Sequence, residues 1–540
     1  MPDDKTVRAI LERFQEMQGR RASWEPAWQD LLDYVLPSRA PVDGTGTPGE
    51  PRAERQFDGA PTRFMRRLAS WLMGQMTSPA ERWFALVAAG IDDHEVDAWL
   101  DATADALYAA LHASNFYAEI AEAYADIITI GTCGLFVDER PISGPGFNGL
   151  VFRNLAPGEY WLDENAQGEV DTVFRRLMLT PRQAALKFGR EALHSSVQDE
   201  LRQDGASGES LYLHAVYRRD DPQLGGKGRA GDRSSGNSPW VSLYLDHGNE
   251  HVVDRGGFRD RRLFTPRWSK ASGELYGRGP AMEALPDIKT LNTLVRYGLE
   301  GMILQVYPPW LFPDESLVGR LRLKPGAHNV YDPEVGGEIR ALQGRGDFRV
   351  EAAKEQELRQ AIAQAFLDDV LGTREQGGVT ATEILDRRER RQHLTGPAVA
   401  RLQSELLDPL VSTAWMLMFR AGAFGRPPPA LLVAERIEVD YLSPLARAQK
   451  MARVRSMQDA FALLQPLAQA SPGMLDHYDF DTIAREVPED VGVPRPWLRP
   501  TEQVAQARQA RAAAQRQQQA LAQGQEIART AAAVSAAEEN

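Results

Sequence analysis

The sequence predicts an α+β fold that is predominantly helical, and three observations predict it. Apolar residues recur at helical spacing near both ends of the chain. Between Cys133 and Gly257 the pattern changes to alternation and to β-branched and aromatic runs. Joining the two, residues Arg261 to Val306 pass from an extended piece through a turn into a long helix. Phe264 and Trp268 flank Pro266, which marks extended backbone. The turn YGRGP supplies Gly277, Gly279 and Pro280; glycine permits the positive φ of a sharp change of direction, and proline suits a first helical turn. Leu285, Ile288, Leu291, Val295, Leu299, Met302 and Val306 then repeat every three or four residues, predicting a helix over 281–306. Pro286 marks a second start or a kink, and Pro308 and Pro309 end the helix.

Length and composition bound the rest. At 540 residues the chain exceeds what one core normally serves, so two or more subdomains are expected. The longest apolar run, Ile127 to Val137, is too short to span a bilayer. The N-terminus has no apolar signal-peptide core, so a soluble protein, intracellular at synthesis and with no membrane partner, is expected. A single cysteine, Cys133, excludes an intrachain disulfide and a cysteine metal cluster; between Ile130 and Leu135 it reads as a small buried residue. A net charge of −13 argues against a protein that grips nucleic acid by broad phosphate neutralisation. It leaves room for one that lets DNA pass without gripping it.

In chain order, Thr6–Met17 forms an amphipathic helix, with Val7, Ile10, Leu11 and Phe14 on one face. Ser23 caps a second helix that stops at Pro37. Residues 38–56, rich in Gly, Pro and Thr, form a loop, and Asp58 caps a helix to Met76. Arg63, Arg66 and Arg67 lie on its solvated face. WFAL at Trp83 is a short strand, and helices follow at Asp93–Ser114 and Phe116–Ile130. Strands are predicted at GLFVDE, LVFRNL, EYWLDE, EVDTVFRRLML, LYLHAVYRR, WVSLYLD and HVVDRGG. ENAQGE is a hairpin turn, and TPRQAALKFG is a short helix from Thr180 to Gly189. Residues 222–239 compose a flexible surface loop. Tyr307–Phe348 is rich in Pro and Gly with short strands such as RLRL at 320–323. A helix at Glu351–Leu371 is broken by GTREQGG; Thr380 and Glu383 open a long helical stretch to Phe419 that Pro397 and Pro409 kink or divide. IEVDYLSPLARAQK gives a strand and a helix running to Leu464. In residues 501–540, 23 of 40 are Ala or Gln. That segment is either a helix supported by neighbouring copies or a disordered tail.

Motifs for chemistry are weak. GGKGRAG lacks the spacing of a phosphate-binding loop, and its lysine is not followed by Ser or Thr. His247 and His251 are four apart, but HGNE between strands reads as a hairpin turn and not as the helix a metal pair would need. Asp92–Asp93 and Asp368–Asp369 sit at helix ends, where charge trims the helix dipole. No catalytic, cofactor or metal residue is expected, and the chain reads as a non-enzyme. The helices 281–306 and 351–371, separated by about 40 residues rich in Pro and Gly, read as an antiparallel pair with a small module at its tip.

The string RWSKASGELYGRGPAMEALPDIKTLN resembles the signature of the head-to-tail connector (portal) proteins of short-tailed, podovirus-type bacteriophages. The resemblance extends from Leu11 to Gln449 through WEPAWQDLLDYVLPSR, FDGAPTRFMRRLASWLMGQMTSPAERWFAL, FYAEIAEAYADIITIGTCGLFVDE, GEYWLDENAQGEVDTVFRRLMLTPRQAALKFG, GVTATEILDRRERRQHLTGPAVARLQSELLDPLV and YLSPLARAQK. It is carried by their order and spacing together.

The resemblance implies a portal fold of wing, stem, clip and crown, assembled as a ring commonly of twelve subunits at one capsid vertex. Carried over, 1–268 is wing, 269–306 the first stem helix region, 307–350 clip, 351–371 the second stem helix and 372–379 the tunnel loop. Residues 380–444 are the long wing helix and strand, 445–500 crown and 501–540 the tail. The implied partners are further copies of the chain, double-stranded DNA, the large terminase, the major capsid and scaffolding proteins and a tail adaptor. The implied locations are the virion and, during assembly, the host cytoplasm. Candidate DNA contacts are Thr373, Arg374, Glu375, Gln376, Gly377 and Gly378 in the tunnel loop, with Arg387 and Arg388 beyond it. Stem candidates are Lys289, Arg296 and Glu300, and clip candidates are Arg320, Arg322 and Lys324. The wing–stem corner is Gly277, Gly279 and Pro280, where a double valine substitution is expected to spoil assembly before subunit folding. A 26-residue helix is about 39 Å long. Twelve helices about 9.5 Å apart enclose a bore of about 26 Å, enough for duplex DNA. An acidic wall keeps the duplex from sticking. The competing readings are a nuclease-like enzyme using Asp368 and Asp369 with magnesium, and a scaffold protein unrelated to phage.

Overall fold

Helices and strands fall where the two hydrophobic periods fall, and the result is α+β with 54% helix against 18% strand. The computed structural model describes all residues except 1, 45, 48, 90–92, 141–145, 203–207, 225–237, 314–321, 332–339, 342–347, 369–393, 430, 432–436, 443, 471, 492, 494–496, 500–502 and 520–540. The chain opens with α1 (Pro2–Arg21), α2 (Glu25–Tyr34), α3 (Ala60–Met76), β1 (Phe84–Ala88), α4 (His94–Ala113) and α5 (Phe116–Ile130). Next come β2 (Gly134–Glu139), β3 (Leu150–Leu155), β4 (Tyr160–Glu164), β5 (Val170–Leu179), α6 (Pro181–Phe188), α7 (Ser195–Glu200), β6 (Ser210–Arg218), β7 (Trp240–Asp246), β8 (His251–Phe258) and β9 (Leu263–Phe264). Then follow α8 (Pro280–Glu283), α9 (Leu285–Val306), β10 (Trp310–Pro313), β11 (His328–Tyr331), β12 (Arg340–Ala341), α10 (Phe348–Ala365) and α11 (Asp408–Arg420). The last elements are β13 (Ile437–Tyr441), α12 (Pro444–Ala470) and α13 (Phe480–Val491). Two compact units result: Met1–Pro79 with Ala110–Ala423, and Ala80–Ala109 with Phe424–Asn540.

In the first unit β4 to β8 form a five-stranded antiparallel sheet in sequence order. Alternation along each strand gives the sheet two faces. On one face α1 lays Val7, Ile10, Phe14 and Met17 against Trp161, Phe174, Leu213 and Leu243. Each of those buried side chains contributes about 2 kcal/mol of transfer free energy. On the other face Ala184 of α6 and Val197 of α7 cover Leu177, Tyr212 and Tyr244. Thr180 caps α6 through a reciprocal bond pair with Gln183, and Gly189 ends it at φ +86°. A second sheet, β3–β2–β9, lies beside α5. α5 carries the buried Asp126, which takes a forked pair from Arg39 at 2.5 and 2.9 Å and a bond from Asn154 at 2.6 Å.

In the second unit β1 pairs with β13, Phe84 opposite Tyr441, across more than 350 residues of sequence. The Tyr108 hydroxyl accepts the backbone N–H groups of Trp83 and Phe84 at 2.5 and 2.6 Å. α12 packs on α13, with the Phe461 ring between Tyr478 and Phe480.

Several elements differ from expectation. The predicted helix 281–306 is two helices, α8 and α9, with Ala284 between them, because Pro286 sits in the first turn of α9. The N-cap of α2 is Trp24 without a side-chain cap; Ser23 turns back to bond the Arg20 carbonyl. At RLRL, Arg322 and Leu323 are not strand; the strands of that region are β10, β11 and β12, with β10 central. The second long helix is Phe348–Ala365, starting and ending earlier than predicted. After helical residues 394–402, a π-turn at Gln403–Leu407 precedes α11, which Pro409 starts. In the tail, residues 503–519 are helical and mostly exposed.

Candidate functional site

The corner and the helix pair that it launches form the candidate site. At the corner three glycines meet backbone to backbone. Gly131 ends α5 at φ +85°, and a Cβ on it would lie 2.3 Å from the Gly277 carbonyl oxygen. A Cβ on Gly277 would lie 2.3 Å from the Gly131 oxygen, and one on Gly279 would lie 2.5 Å from the Ile128 oxygen. Neither Gly277 nor Gly279 has a positive φ, so close approach and not left-handed backbone is what requires them. The Gly277 N–H donates to Thr132 Oγ1 at 2.7 Å, and the Trp268 N–H donates to the Gly131 carbonyl at 2.9 Å. Pro280 is buried at the start of α8. Between the glycines, Arg278 turns outward over the Trp24 ring and bonds Glu274 twice, which holds the guanidinium above its ordinary value and the carboxyl below its own.

Arg267 anchors the strand entering the corner. Its side chain is 5% exposed and pairs with Glu164 of β4 and Glu405 of the π-turn, each at 3.2 Å. Its backbone N–H also donates to Glu405 at 2.9 Å. A buried arginine with two carboxylates fixes β4, the corner strand and the π-turn in one register.

The upper part of α9 is tied down by the segment 55–58. Asn292 accepts the Phe57 N–H at 2.6 Å and donates to the Arg55 carbonyl at 2.8 Å. The N-cap of α3 is Gly59, not Asp58 as expected; Asp58, one residue earlier, accepts the Ala60 N–H at 2.7 Å and takes Arg359 of α10 at 2.8 Å. Burial works against the Arg359 charge, and the Asp58 and Glu355 carboxylates outweigh it and raise its pKa. One short loop therefore holds both helices of the pair. Replacing Asn292 by Ala is expected to cost about 2 kcal/mol, because a backbone donor and a backbone acceptor lose their partner together. The urea midpoint of the purified subunit checks this; an unchanged midpoint would refute the clasp.

The three stem candidates are all engaged at the surface. Lys289 reaches Asp30 of α2 at 2.5 Å, and Arg296 pairs with Glu300 one turn on at 3.0 Å. Near the middle of α9, the Glu351 carboxylate of α10 fills the space beside Gly298. Below that point α9 has an apolar stripe that stands partly open: Leu299, Met302, Ile303 and Val306 lie at spacings of three and four, with exposures from 43% at Leu299 to 85% at Val306. Tyr307 and Trp310, which follow the stripe in the chain, are also exposed, and Tyr297 is exposed on the opposite face of α9.

At the tip, β10 pairs parallel with β11 and antiparallel with β12. Arg322 and Lys324 stand exposed on the segment before β11, whose Asn329 clamps the Arg322 backbone with two bonds. Arg320, the tunnel-loop residues Thr373, Arg374, Glu375, Gln376, Gly377 and Gly378, and Arg387 and Arg388 lie outside the described residues. The structure thus brings together Gly277, Gly279 and Pro280, and it places Lys289, Arg296 and Glu300 along one helix. Asn292, Gly131, Arg267 and Glu405 belong to the same assembly of contacts and were not singled out from sequence. An interior helical glycine such as Gly298, which costs helix stability, is the one signal that was available.

The groups weighed as metal ligands have other work. Asp368 takes both oxygens to Arg67, at 2.9 and 3.1 Å, so Arg67 is not merely solvated. His251 Nε2 meets the Ala192 carbonyl at 3.0 Å, and 247–250 is a hairpin turn. Asp92 and Asp369 lie outside the described residues. Among the described residues no helix is long and apolar enough to cross a membrane.

Residues 7–498 match the model of the family described as bacteriophage head to tail connecting protein. A probable portal protein of Bordetella phage BPP-1 is 28% identical over 98% of this chain and 96% of its own length. A portal protein of Salmonella phage epsilon15 is 25% identical over 97% of this chain and 95% of its own. A solved chain from the virion of a native gene transfer agent particle aligns over 76% of this chain and 86% of its own at 12% identity, with a TM-score of 0.34, too low to carry a fold assignment.

Proposed function

The chain belongs to the bacteriophage head to tail connecting protein family, and from that premise we propose how it acts as a portal, the connector between head and tail. Copies assemble into a ring, with twelve subunits as the working number, at one capsid vertex. Double-stranded DNA passes through the ring on packaging and on ejection. The terminase docks on it first and the tail adaptor later, while capsid and scaffolding proteins surround it in the host cytoplasm and the virion. In this reading α8, α9 and α10 are the stem and β10–β12 with their connections the clip. The N-terminal helices and the two sheets of the first unit are wing, and α12 and α13 are crown. Arg374, Arg387 and Arg388 are proposed to touch the passing phosphate backbone, as transient contacts on an acidic protein. Arg320, Arg322 and Lys324 are proposed to face the docking partners.

The observation that carries the ring is the partly exposed apolar stripe on α9. A single subunit exposing Leu299, Met302, Ile303 and Val306 on one helical face pays the hydrophobic cost continuously, and a neighbouring stem helix removes it. Replacing Ile303 and Val306 together by Asp is expected to leave the circular dichroism and melting of the subunit unchanged, since both are exposed. Ring formation, read by light scattering and negative-stain images, is expected to disappear. Rings from that variant would overturn the packing proposed here. A wild-type protein that stays monomeric even with its capsid partners would overturn the ring itself. The nuclease reading is not favoured: Asp368, on which it rested, is bound to Arg67.

A further inference from the structure

Where the two sheets of the first unit meet, a histidine and an arginine are buried together without a carboxylate. His214 of β6 is 0% exposed and Arg175 of β5 is 4% exposed. The Arg175 Nε–H donates to His214 Nδ1 at 2.8 Å. A guanidinium only donates, so Nδ1 holds a lone pair and the imidazole is neutral. With Nδ1 accepting, the neutral ring carries its proton on Nε2, which donates to Ser242 Oγ of β7 at 2.8 Å. The ring stacks flat on Tyr244, 3.9 Å between centroids, and the Tyr244 hydroxyl lies 3.4 Å from Arg175. On the opposite side the guanidinium sits 4.2 Å over the ring of Phe136, which belongs to β2 of the other sheet. Phe258 of β8 closes the contact against Phe136 and His214.

We propose that His214 and Arg175 form an acid-sensitive latch, holding β2 against the five-stranded sheet while the imidazole is neutral and releasing it when the imidazole takes a proton. Protonation at Nδ1 removes the acceptor that Arg175 uses and sets two cations 2.8 Å apart. The charges around the latch do not offset this. Lys187 of α6 lies 5.0 Å from the Tyr244 ring and adds positive charge. Asp138 of β2 is paired with Arg262, itself over the Phe258 ring, and Arg153 of β3 is paired with Glu159. Among the described residues Arg175 has no carboxylate partner within ion-pair distance. Burial first, then Arg175 and Lys187, hold the His214 pKa well below its ordinary value.

The sign follows. The opened seam leaves His214 near its ordinary value of about 6.5, and the closed seam keeps it lower, so the open form binds more protons. Closure is fully favoured above about pH 6.5 and weakens as pH falls towards the closed-state value, by up to about tenfold per pH unit. Hydrogen exchange on the full-length protein between pH 7.5 and 5.5, corrected for the intrinsic rate, reads this in strands 134–139 and 210–218. The expected result is a rising opening constant in both strands for the wild type and a flat one for His214→Gln, which keeps an acceptor and a donor but cannot titrate. A pH-independent opening constant in the wild type overturns the latch without any variant. A His214→Gln protein with the wild-type slope also overturns it. If that variant lacks protected strands at pH 7.5, His214→Asn, which likewise cannot titrate, takes its place: a flat opening constant is expected, and the wild-type slope in that protein refutes the latch.

Discussion

Valine at both Gly277 and Gly279 is expected to abolish the folded first unit, not just its assembly. Each added Cβ would stand 2.3 to 2.5 Å from a backbone carbonyl oxygen, of Gly131 or Ile128, and backbone has no rotamer with which to yield. The α5 terminus cannot retreat, because α5 is packed on α3 and on the β3–β2–β9 sheet. Each substitution is therefore placed in the rare class costing more than about 4 kcal/mol. The sequence alone favoured an assembly defect with folding intact; the packing moves the first failure to the fold. Soluble yield and limited proteolysis separate the two. A useful control is Gly74→Ala in α3, where a Cβ meets nothing within 4 Å; it is expected to gain up to about 1 kcal/mol. Wild-type rings from the double valine variant would sink the corner as described.

Replacing Arg267 by Met is expected to be the next most damaging change. The methionine keeps most of the volume but leaves Glu405 with half-buried Arg401, 3.5 Å away, and the nearby charge of Arg261. Glu164 keeps Lys270 at 2.6 Å. Arg267 is buried, but each carboxylate is about a quarter exposed and keeps another cation, so the loss is expected at about 2–3 kcal/mol, the cost of the charged hydrogen bonds. Arg267→Lys restores charge but not the fork that spans two carboxylates, so it should recover only part of the loss. Adding Glu405→Gln to Arg267→Met should recover part as well, by removing the stranded charge. Urea unfolding of the four proteins gives the comparison; an Arg267→Met midpoint within about 1 kcal/mol of wild type would show that packing, not charge, sets the register.

Local grammar was legible in the sequence and long-range agreement was not. Thr180 with Gln183, Gly189 and the ENAQGE hairpin were readable because cap and turn chemistry acts over a few residues. Helix α5 was read at its observed ends, Phe116 and Ile130, since its apolar period is unbroken. Pro286 announced a break but not which side of it would be the main helix. The corner glycines were found for the wrong reason. A turn signal in YGRGP is local, whereas the carbonyls that forbid a Cβ belong to residues about 150 positions earlier. Arg267 and Glu405 are 138 residues apart, and no periodicity relates them. The β1–β13 pairing was likewise two separate strands on paper. The tunnel-loop candidates, with Arg387 and Arg388, stay proposals, carried by the family to which the chain belongs.

Cys133 turns the corner into its own reporter. It is the chain's single thiol, fully buried two residues from Gly131, and burial pushes its pKa well above the ordinary value. A thiol reagent therefore meets an inert protein until the corner opens, and the rate of labelling becomes a clock for that opening. The same inertness frees the surface for engineering: a cysteine introduced at an exposed position such as Val306 or Lys324 would take a dye or a spin label alone. Distances between labelled subunits would then measure the assembly in solution without removing any native residue of the fold's interior.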